Sequence, residues 1–412
     1  MVDPKKLKFI TQKDDKEGAP GARPPQAAAE DVSVTRKVDE VIAQALAAGA
    51  SEIHFEASPE HTRVRVRVGS RLQEQGTLES RLHPNVINRI KVLGGMDITR
   101  RGIAQKGYFK VDLEDRKVDM VALIIPTPAG EKAFVRIHYT QALQFSLDQL
   151  GMYPQILAGF KKALERPNGL VLIAGPPGSG RTTTAYTCLQ HLNSPEKNLA
   201  SFETSIRYQV PGVIQGKPDD RFGFTFLDGL RAMLDQEPDV LYVGDLNNDQ
   251  AARMTLGAAF GKRIVIGRIN AASGATALLA LLDMGMPGFL VASGVIAVLT
   301  QRLVRRLCER CRQPYAPTEM MLNELGIKPK PGLSFFAAKG CEACGGTGFV
   351  GQLGLFELFV PSEKVQEKLI ARAPAREIQE AAAETGLVPL RHDGIRKVGQ
   401  GLTTLEEILA RL

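Results

Sequence analysis

Two stretches of this chain hold residues whose types and spacing point to chemistry. Cys308-x-x-Cys311 and Cys341-x-x-Cys344 are two pairs, each able to grip one side of a tetrahedral ion through soft thiolates. Glycines at Gly340, Gly345 and Gly346 supply tight turns around the second pair. Four thiolates leave no open coordination position, so the expected ion is a structural Zn²⁺ without a catalytic role. A redox C-x-x-C would follow a thioredoxin-like strand, and neither pair does. The fifth cysteine, Cys188, reads as a buried apolar residue.

The second stretch is 169-GLVLIAGPPGSGRTTTAYTC-188, an apolar run, a glycine-rich turn and a helix-like segment. Gly175, Gly178 and Gly180 carry no side chains, so successive backbone N–H groups can turn inward around a phosphate, and the following helix adds the positive end of its dipole. Thr182 stands where a P-loop places the hydroxyl that holds Mg²⁺. The expected nucleotide-binding set is Gly175, Pro176, Pro177, Gly178, Ser179, Gly180, Arg181, Thr182 and Thr183. Arg181 departs from G-x-x-x-x-G-K-[ST], which requires lysine. Lysine reaches the phosphates as a compact point charge, whereas arginine ends in a broad planar fork that needs more room.

The elements that must position these residues follow from the pattern of apolar runs. GLVLIAG, NLASFE, DVLYVGD and KRIVIGRI are short apolar stretches separated by helical segments such as LDGLRAMLDQ and DQAARMTLGAAF. That alternation implies an α/β fold with a mainly parallel sheet covered on both faces. Before it, VTRKVDEVIAQALAAGA spaces Val38, Val41, Ile42 and Leu46 as a helix does, and Gly49 is its stop. TRVRVRV then alternates Val64, Val66 and Val68 with Arg63, Arg65 and Arg67, as a half-buried strand does. Residues 33–140 are therefore expected as a small α+β domain, 141–155 as a linker, and 156–412 as the P-loop domain. That domain carries a zinc module over 305–350 and a helical C-terminal region over 361–412. Residues 1–32, poor in large apolar side chains, are expected as a disordered tail.

Composition excludes little. The 412 residues hold 52 Lys+Arg against 45 Asp+Glu, a net charge of +7 with both signs abundant. Arg302, Arg305, Arg306, Arg310 and Arg312 crowd the first cysteine pair, yet they lack the interleaved aromatics of a single-strand binder, which argues against nucleic acid. MVDPKKLKFITQKDDKEG has no signal-peptide core, so action in the cytoplasm is expected. The uncharged run from Met284 to Thr300 is at the bottom of the membrane-spanning range and contains Pro287, so it reads as a buried helix.

From Val34 to the C-terminus the order of segments resembles the type II secretion and type IV pilus assembly ATPases. The resemblance is carried by GASEIHFE, RIKVLGGMDI, PTPAGEKAFVRI, the glycine loop, GLRAMLDQEPDVLYVGD, LLDMGMPGFLVASGVIAVLTQRLVRRLC, the cysteine pairs and LRHDGIRKVGQGLTTLEEIL. It implies a RecA-like P-loop domain preceded by a hinged N-terminal domain. The resemblance further implies six subunits in a ring at the inner face of the bacterial cytoplasmic membrane. It implies too that active members of the family turn ATP hydrolysis into motion that drives pilin assembly through an inner-membrane platform protein.

Departures from the family pattern gather on nucleotide-handling motifs. The aspartate box, roughly T-I-E-D-P-V-E, reads SFETSIR, keeping Glu203 but replacing the later acids with Thr204 and Arg207. In V-G-E-I-R-D the pair G-E becomes Gly244 and Asp245, and R-D becomes Asn247 and Asn248. The histidine box S-T-L-H-T-N reads GRINAA, with Asn270 at the histidine. Arginines expected in the N-terminal domain fall at Gly102, Tyr108 and Val121. Phosphoryl transfer depends on positioned positive charge, so these losses imply weak or absent hydrolysis and weak binding of ATP and Mg²⁺. The expected role is structural or regulatory, in a homo-hexamer or a ring mixed with an active paralogue. Two alternatives stand beside it, a slow ATPase using Glu203 and Asp245, and a nucleic-acid-binding relative.

Overall fold

The computed structural model describes residues 8–11, 29–68, 71–113, 116–139, 145–219, 222–327 and 334–412. The chain divides into two compact units, Met1–Ala142 and Leu143–Leu412.

In the first unit, helix α1 (Ala29–Ala47) ends before Gly49, whose φ of +66° favours glycine. The strands are β1 (Lys8–Thr11), β2 (Glu52–Ala57), β3 (His61–Val68), β4 (Arg71–Glu79), β5 (Gln105–Leu113), β6 (Arg116–Thr127) and β7 (Gly130–Tyr139), with α2 (His83–Leu93) between β4 and β5. They form one antiparallel sheet in the order β1-β5-β6-β7-β2-β3-β4. Val34, Val38, Ile42 and Leu46 of α1 share an apolar cluster with Ile87 and Ile90 of α2 and the inward residues of the sheet. Along β3, Val64 and Val66 are buried and Val68 is half-buried. The opposite face is paired as well as solvated, Arg63 and Arg65 with Glu56 and Arg67 with Glu52.

The tail expected to be disordered contains structure. Lys8–Thr11 pairs antiparallel with β5, Lys8 opposite Asp112 and Thr11 opposite Phe109, and α1 begins at Ala29. Lys-Phe-Ile-Thr is a short strand-forming run in a polar setting, and the Phe9 ring lies 6.5 Å from that of Phe109. Residues 1–7 and 12–28 lie outside the described residues.

The second unit begins earlier than the expected linker allows. Leu147 and Met152 are buried in its core, so the linker reading does not hold from Leu147 onward, and residues 140–144 lie outside the described residues. Helix α3 (Pro154–Leu164) leads to β8 (Gly169–Ala174) and α4 (Arg181–Leu192). There follow β9 (Leu199–Phe202), β10 (Val213–Gly216), α5 (Phe226–Leu234), β11 (Val240–Val243), α6 (Asp249–Ala258), β12 (Ile264–Ile269) and α7 (Gly274–Asp283). The sheet runs β10-β9-β11-β12-β8 and continues into β13 (Val295–Leu307) and β16 (Phe349–Phe359). Pairings from β10 to β13 are parallel and that of β13 with β16 is antiparallel. Within β8, Leu170, Leu172 and Ala174 join one core while Val171 and Ile173 join the other, so the strand is apolar throughout because both faces are covered.

The run from Met284 to Thr300 is not one helix. Helix α8 (Gly288–Gly294) gives way at Val295 to β13, where Val295, Ile296 and Val298 suit a strand buried in the sheet. From the ends of β13 and β16 grows a module with β14 (Arg312–Tyr315) paired to β15 (Phe335–Ala338), and α9 (Glu319–Glu324). Helices α10 (Glu363–Ile370), α11 (Ala375–Glu384), α12 (Leu390–Gly399) and α13 (Leu405–Leu409) close the chain. Among the described residues no helix is long and apolar enough to cross a membrane.

Candidate functional site

Parallel pairing puts the C-terminal ends of β8, β9, β11, β12 and β13 along one edge of the sheet, the edge at which open α/β sheets take ligands. The glycine loop leaves β8 there. Gly175, Gly178 and Gly180 adopt φ of +156°, +78° and +87°. A Cβ on Gly175 would sit 2.5 Å from Ser179 Oγ and 2.6 Å from the Gln301 carbonyl oxygen, so a side chain there would fill the cradle. Gln301 on β13 braces the loop from behind, its Nε2 donating to the Ser179 carbonyl at 2.6 Å. Ser179 Oγ is buried without a hydrogen-bond partner. Pro177 and Gly178 are exposed at the tip and Pro176 is half-buried. A loop of this geometry, with an orphaned hydroxyl, fits a phosphate group.

The side chains that should complete the site are bonded to one another. Arg181 Nη1 donates to the Ile269 carbonyl at 2.6 Å, which turns the fork toward the end of β12. Burial, then the neighbouring Arg268 charge, lowers its pKa to about 10. Arg268, at the second position of the altered histidine box, reaches both other members of the site. Its Nη1 donates to Thr182 Oγ1 at 2.6 Å, its Nε to Asp245 Oδ1 at 3.1 Å, and its Nη2 to Asp245 Oδ2. Thr182 is buried, and Thr183 beside it is half-buried. The hydroxyl and carboxylate that would hold Mg²⁺ thus both face a guanidinium, and the donor set as it stands does not fit the ion.

Glu203, at the end of β9, is buried. Its carboxylate accepts from the Tyr186 hydroxyl at 2.9 and 3.0 Å and from Ser201 Oγ at 3.0 Å. Burial outweighs those bonds and pushes its pKa up to about 7. The ends of β9 and β11 touch closely, since a Cβ on Gly244 would lie 2.9 Å from Glu203 Cα. Glu203 and Asp245 therefore stand on adjacent strand ends, but each is held by a different partner. Of the other altered positions, Asn270 is exposed, and Asn248 caps α6 by accepting from the Ala251 N–H at 2.8 Å.

Cys308, Cys311, Cys341 and Cys344 converge, their sulfurs all within 4.8 Å of one another. Separations of 3.9 Å for Cys308–Cys341, 3.8 Å for Cys311–Cys344 and 3.7 Å for Cys341–Cys344 suit a tetrahedron of Zn–S bonds about 2.3 Å long. The N–H groups of Cys341 and Gly348 donate to Cys344 Sγ at 3.2 and 3.1 Å, which favours a thiolate there. Gly340 makes the approach possible, because a Cβ on it would lie 2.4 Å from the Gly346 carbonyl oxygen. The surrounding arginines are largely engaged within the unit. Arg305 pairs with Glu407, Arg306 with Glu309, and Arg312 donates to the Gly401 carbonyl.

Sequence reasoning placed the loop, Glu203, Asp245 and the cysteines, and it missed Arg268. The signal was available in GRINAA, where the chain puts arginine at the box's second residue as well as asparagine at its fourth.

Comparison with known proteins agrees with this fold. The chain is 35% identical to the type IV pilus assembly ATPase PilB of Thermus thermophilus, covering 92% of this chain and 43% of that one. It is 34% identical to the type II secretion system protein HxcR of Pseudomonas aeruginosa, covering 91% and 76%. It is 32% identical to the type II secretion system ATPase E of Vibrio cholerae, covering 92% and 75%. The chain thus spans less than half of the Thermus relative and about three quarters of the other two. Among solved structures, the Legionella pneumophila ATPase DotB superposes with a TM-score of 0.65 at 14% identity, covering 94% of this chain and 97% of that one. The pilus retraction motor PilT with bound ADP gives 0.60 at 18% identity, covering 90% and 96%. A family model described as type II/IV secretion system protein matches residues 27–410, and this chain belongs to that family.

Proposed function

We propose that the chain is a subunit of a type IV pilus or type II secretion machine that keeps the RecA-like nucleotide-binding fold and hydrolyses ATP weakly or not at all. The observation that carries this reading is the engagement of Arg181 with the Ile269 carbonyl, which takes the one cation of the loop away from the place where a γ-phosphate would need it. Glu203 supports it, since a carboxyl with a pKa near 7, held by Tyr186 and Ser201, is not free to orient a water. Its role is structural or regulatory, in a ring of six like subunits or one mixed with an active paralogue. The ring works at the inner face of the cytoplasmic membrane against a platform component. The names of the relatives, pilus assembly and secretion ATPases, support the setting. The four cysteines hold Zn²⁺, which ties β14, β15 and the ends of β13 and β16 into one module.

Phosphate release from ATP with Mg²⁺ by the purified chain tests the reading. The expected rate lies at least ~10³-fold below that of a lysine-bearing relative. Turnover comparable to such a relative would overturn it. A second reading, a slow ATPase, is favoured by the adjacency of Glu203 and Asp245 across Gly244. It predicts a low rate that disappears in Glu203→Ala.

A further inference from the structure

Thr182 and Asp245 come from the loop helix α4 and from the end of β11, and β12 runs between β8 and β11 in the sheet. A residue at the end of β12 with a long cationic side chain is therefore placed to reach both. Arg268 is that residue, half-buried, with three nitrogens donating to a hydroxyl and to both oxygens of a carboxylate. Those oxygens are the protein ligands a divalent cation would need. Mg²⁺ requires oxygens near 2.0–2.1 Å in octahedral array, a demand that a bidentate guanidinium–carboxylate pair leaves no room to meet.

We propose that Arg268 takes the place of the divalent cation in this chain, so that the glycine loop binds a nucleoside polyphosphate without metal.

The local charges favour such a ligand. Arg181 feels the charges of Arg268 and Arg207, and Glu203, with its pKa raised to about 7, carries only about half of its charge at pH 7. Cations gathered there attract a metal-free polyphosphate, whose charge is not reduced by Mg²⁺, and repel a second cation. The guanidinium supplies donors where a metal supplies acceptor-binding positions. Three of its five N–H groups are used on Thr182 and Asp245, which leaves one on Nη1 and one on Nη2 for phosphate oxygens. Ligand binding is thus coupled to that one side chain.

The inference rests on the proposed function, and its test separates the two. Titration calorimetry of the full chain with ATP is run in EDTA and again in Mg²⁺, with Mn²⁺ electron paramagnetic resonance in place of Mg²⁺ on the same samples. The expected affinities agree within about twofold and no Mn²⁺ is immobilised on the protein. In Arg268→Thr, which puts the family's residue at this position, Mg²⁺ tightens ATP binding by about tenfold or more and Mn²⁺ becomes immobilised. Binding by the wild-type chain that needs the metal, or absence of ATP binding in EDTA, overturns the inference. So does an Arg268→Thr protein that remains indifferent to metal. The two wild-type titrations decide without the variant if it fails to fold. Metal-dependent binding without phosphate release sinks this inference and leaves the proposed function standing, whereas phosphate release bears on that function alone.

Discussion

At the cysteine cluster four sulfurs meet within 4.8 Å of one another, while at the loop the Thr182 hydroxyl and the Asp245 carboxylate meet across the guanidinium of Arg268. The first group is a set of donors of one kind aimed at a shared centre. The second has its centre filled from within the chain. Two sites of one unit, both expected to hold a dication, thus differ in whether the protein has already supplied the positive charge. The lesson is that motif residues can persist at their positions while their bonding capacity is committed elsewhere, and that only the bonding decides what the motif can take.

The largest expected effect lies on the cysteine side of that contrast. Cys341→Ser removes one of four converging ligands, and a structural zinc site is worth on the order of 10 kcal/mol of folding energy. The variant should lose bound zinc by elemental analysis and melt well below the wild type, by more than about 5 °C. Full zinc content with unchanged melting would break the contrast at its firmer end.

Glu203 provides the next test. Its folded pKa of about 7 lies above the 4.5 of a free glutamate, so the folded state holds the proton more tightly. Stability is then greatest below pH 4.5 and is lost as pH rises toward 7, by on the order of 3 kcal/mol from this group. Denaturant titrations at pH 5 and pH 8 should show a smaller pH difference in Glu203→Gln than in the wild type. An equal difference in both would mean that the carboxyl is not held proton-rich.

Gly244→Ala forces a methyl to 2.9 Å from Glu203 Cα, where neighbouring backbone cannot yield cheaply. About 1–3 kcal/mol of stability should be lost, read by the shift of a urea midpoint. An unchanged midpoint would show that the strand ends are looser than the contact implies. The smallest effect belongs to Arg181→Lys, which returns the lysine of the motif. It should leave phosphate release undetectable, because Arg268 still occupies Thr182 and Asp245. A motor-like rate from that one change would erase the distinction between the two sites.

Much of this architecture is legible in the sequence, for identifiable reasons. Gly169–Ala174 reads as an inner strand because apolar residues facing opposite cores leave no polar alternation, and the glycines after it can have few other purposes. The cysteine pairs are legible because their spacing is itself the chelate geometry. What escapes is whatever depends on strand order. Arg268 is an ordinary residue of an apolar run until β12 is known to lie between β8 and β11, which brings Thr182 and Asp245 within reach of one side chain. Leu147 and Met152 look like linker because the apolar surface that buries them comes from elsewhere in the chain. The break at Val295 is invisible for a related reason, since a buried helix and a buried strand present equally uncharged sequence.

A magnesium ion arrives with a nucleotide and departs with it, and a machine that cycles depends on that exchange. The Arg268 guanidinium is joined to its strand by covalent bonds and cannot be exchanged. If Arg268 serves as proposed, the edge at β8, β11 and β12 would keep its positive charge through every round of ligand traffic. In the mixed ring proposed above, such a subunit would keep no time of its own and would hold a fixed place against which neighbours that release their ion move.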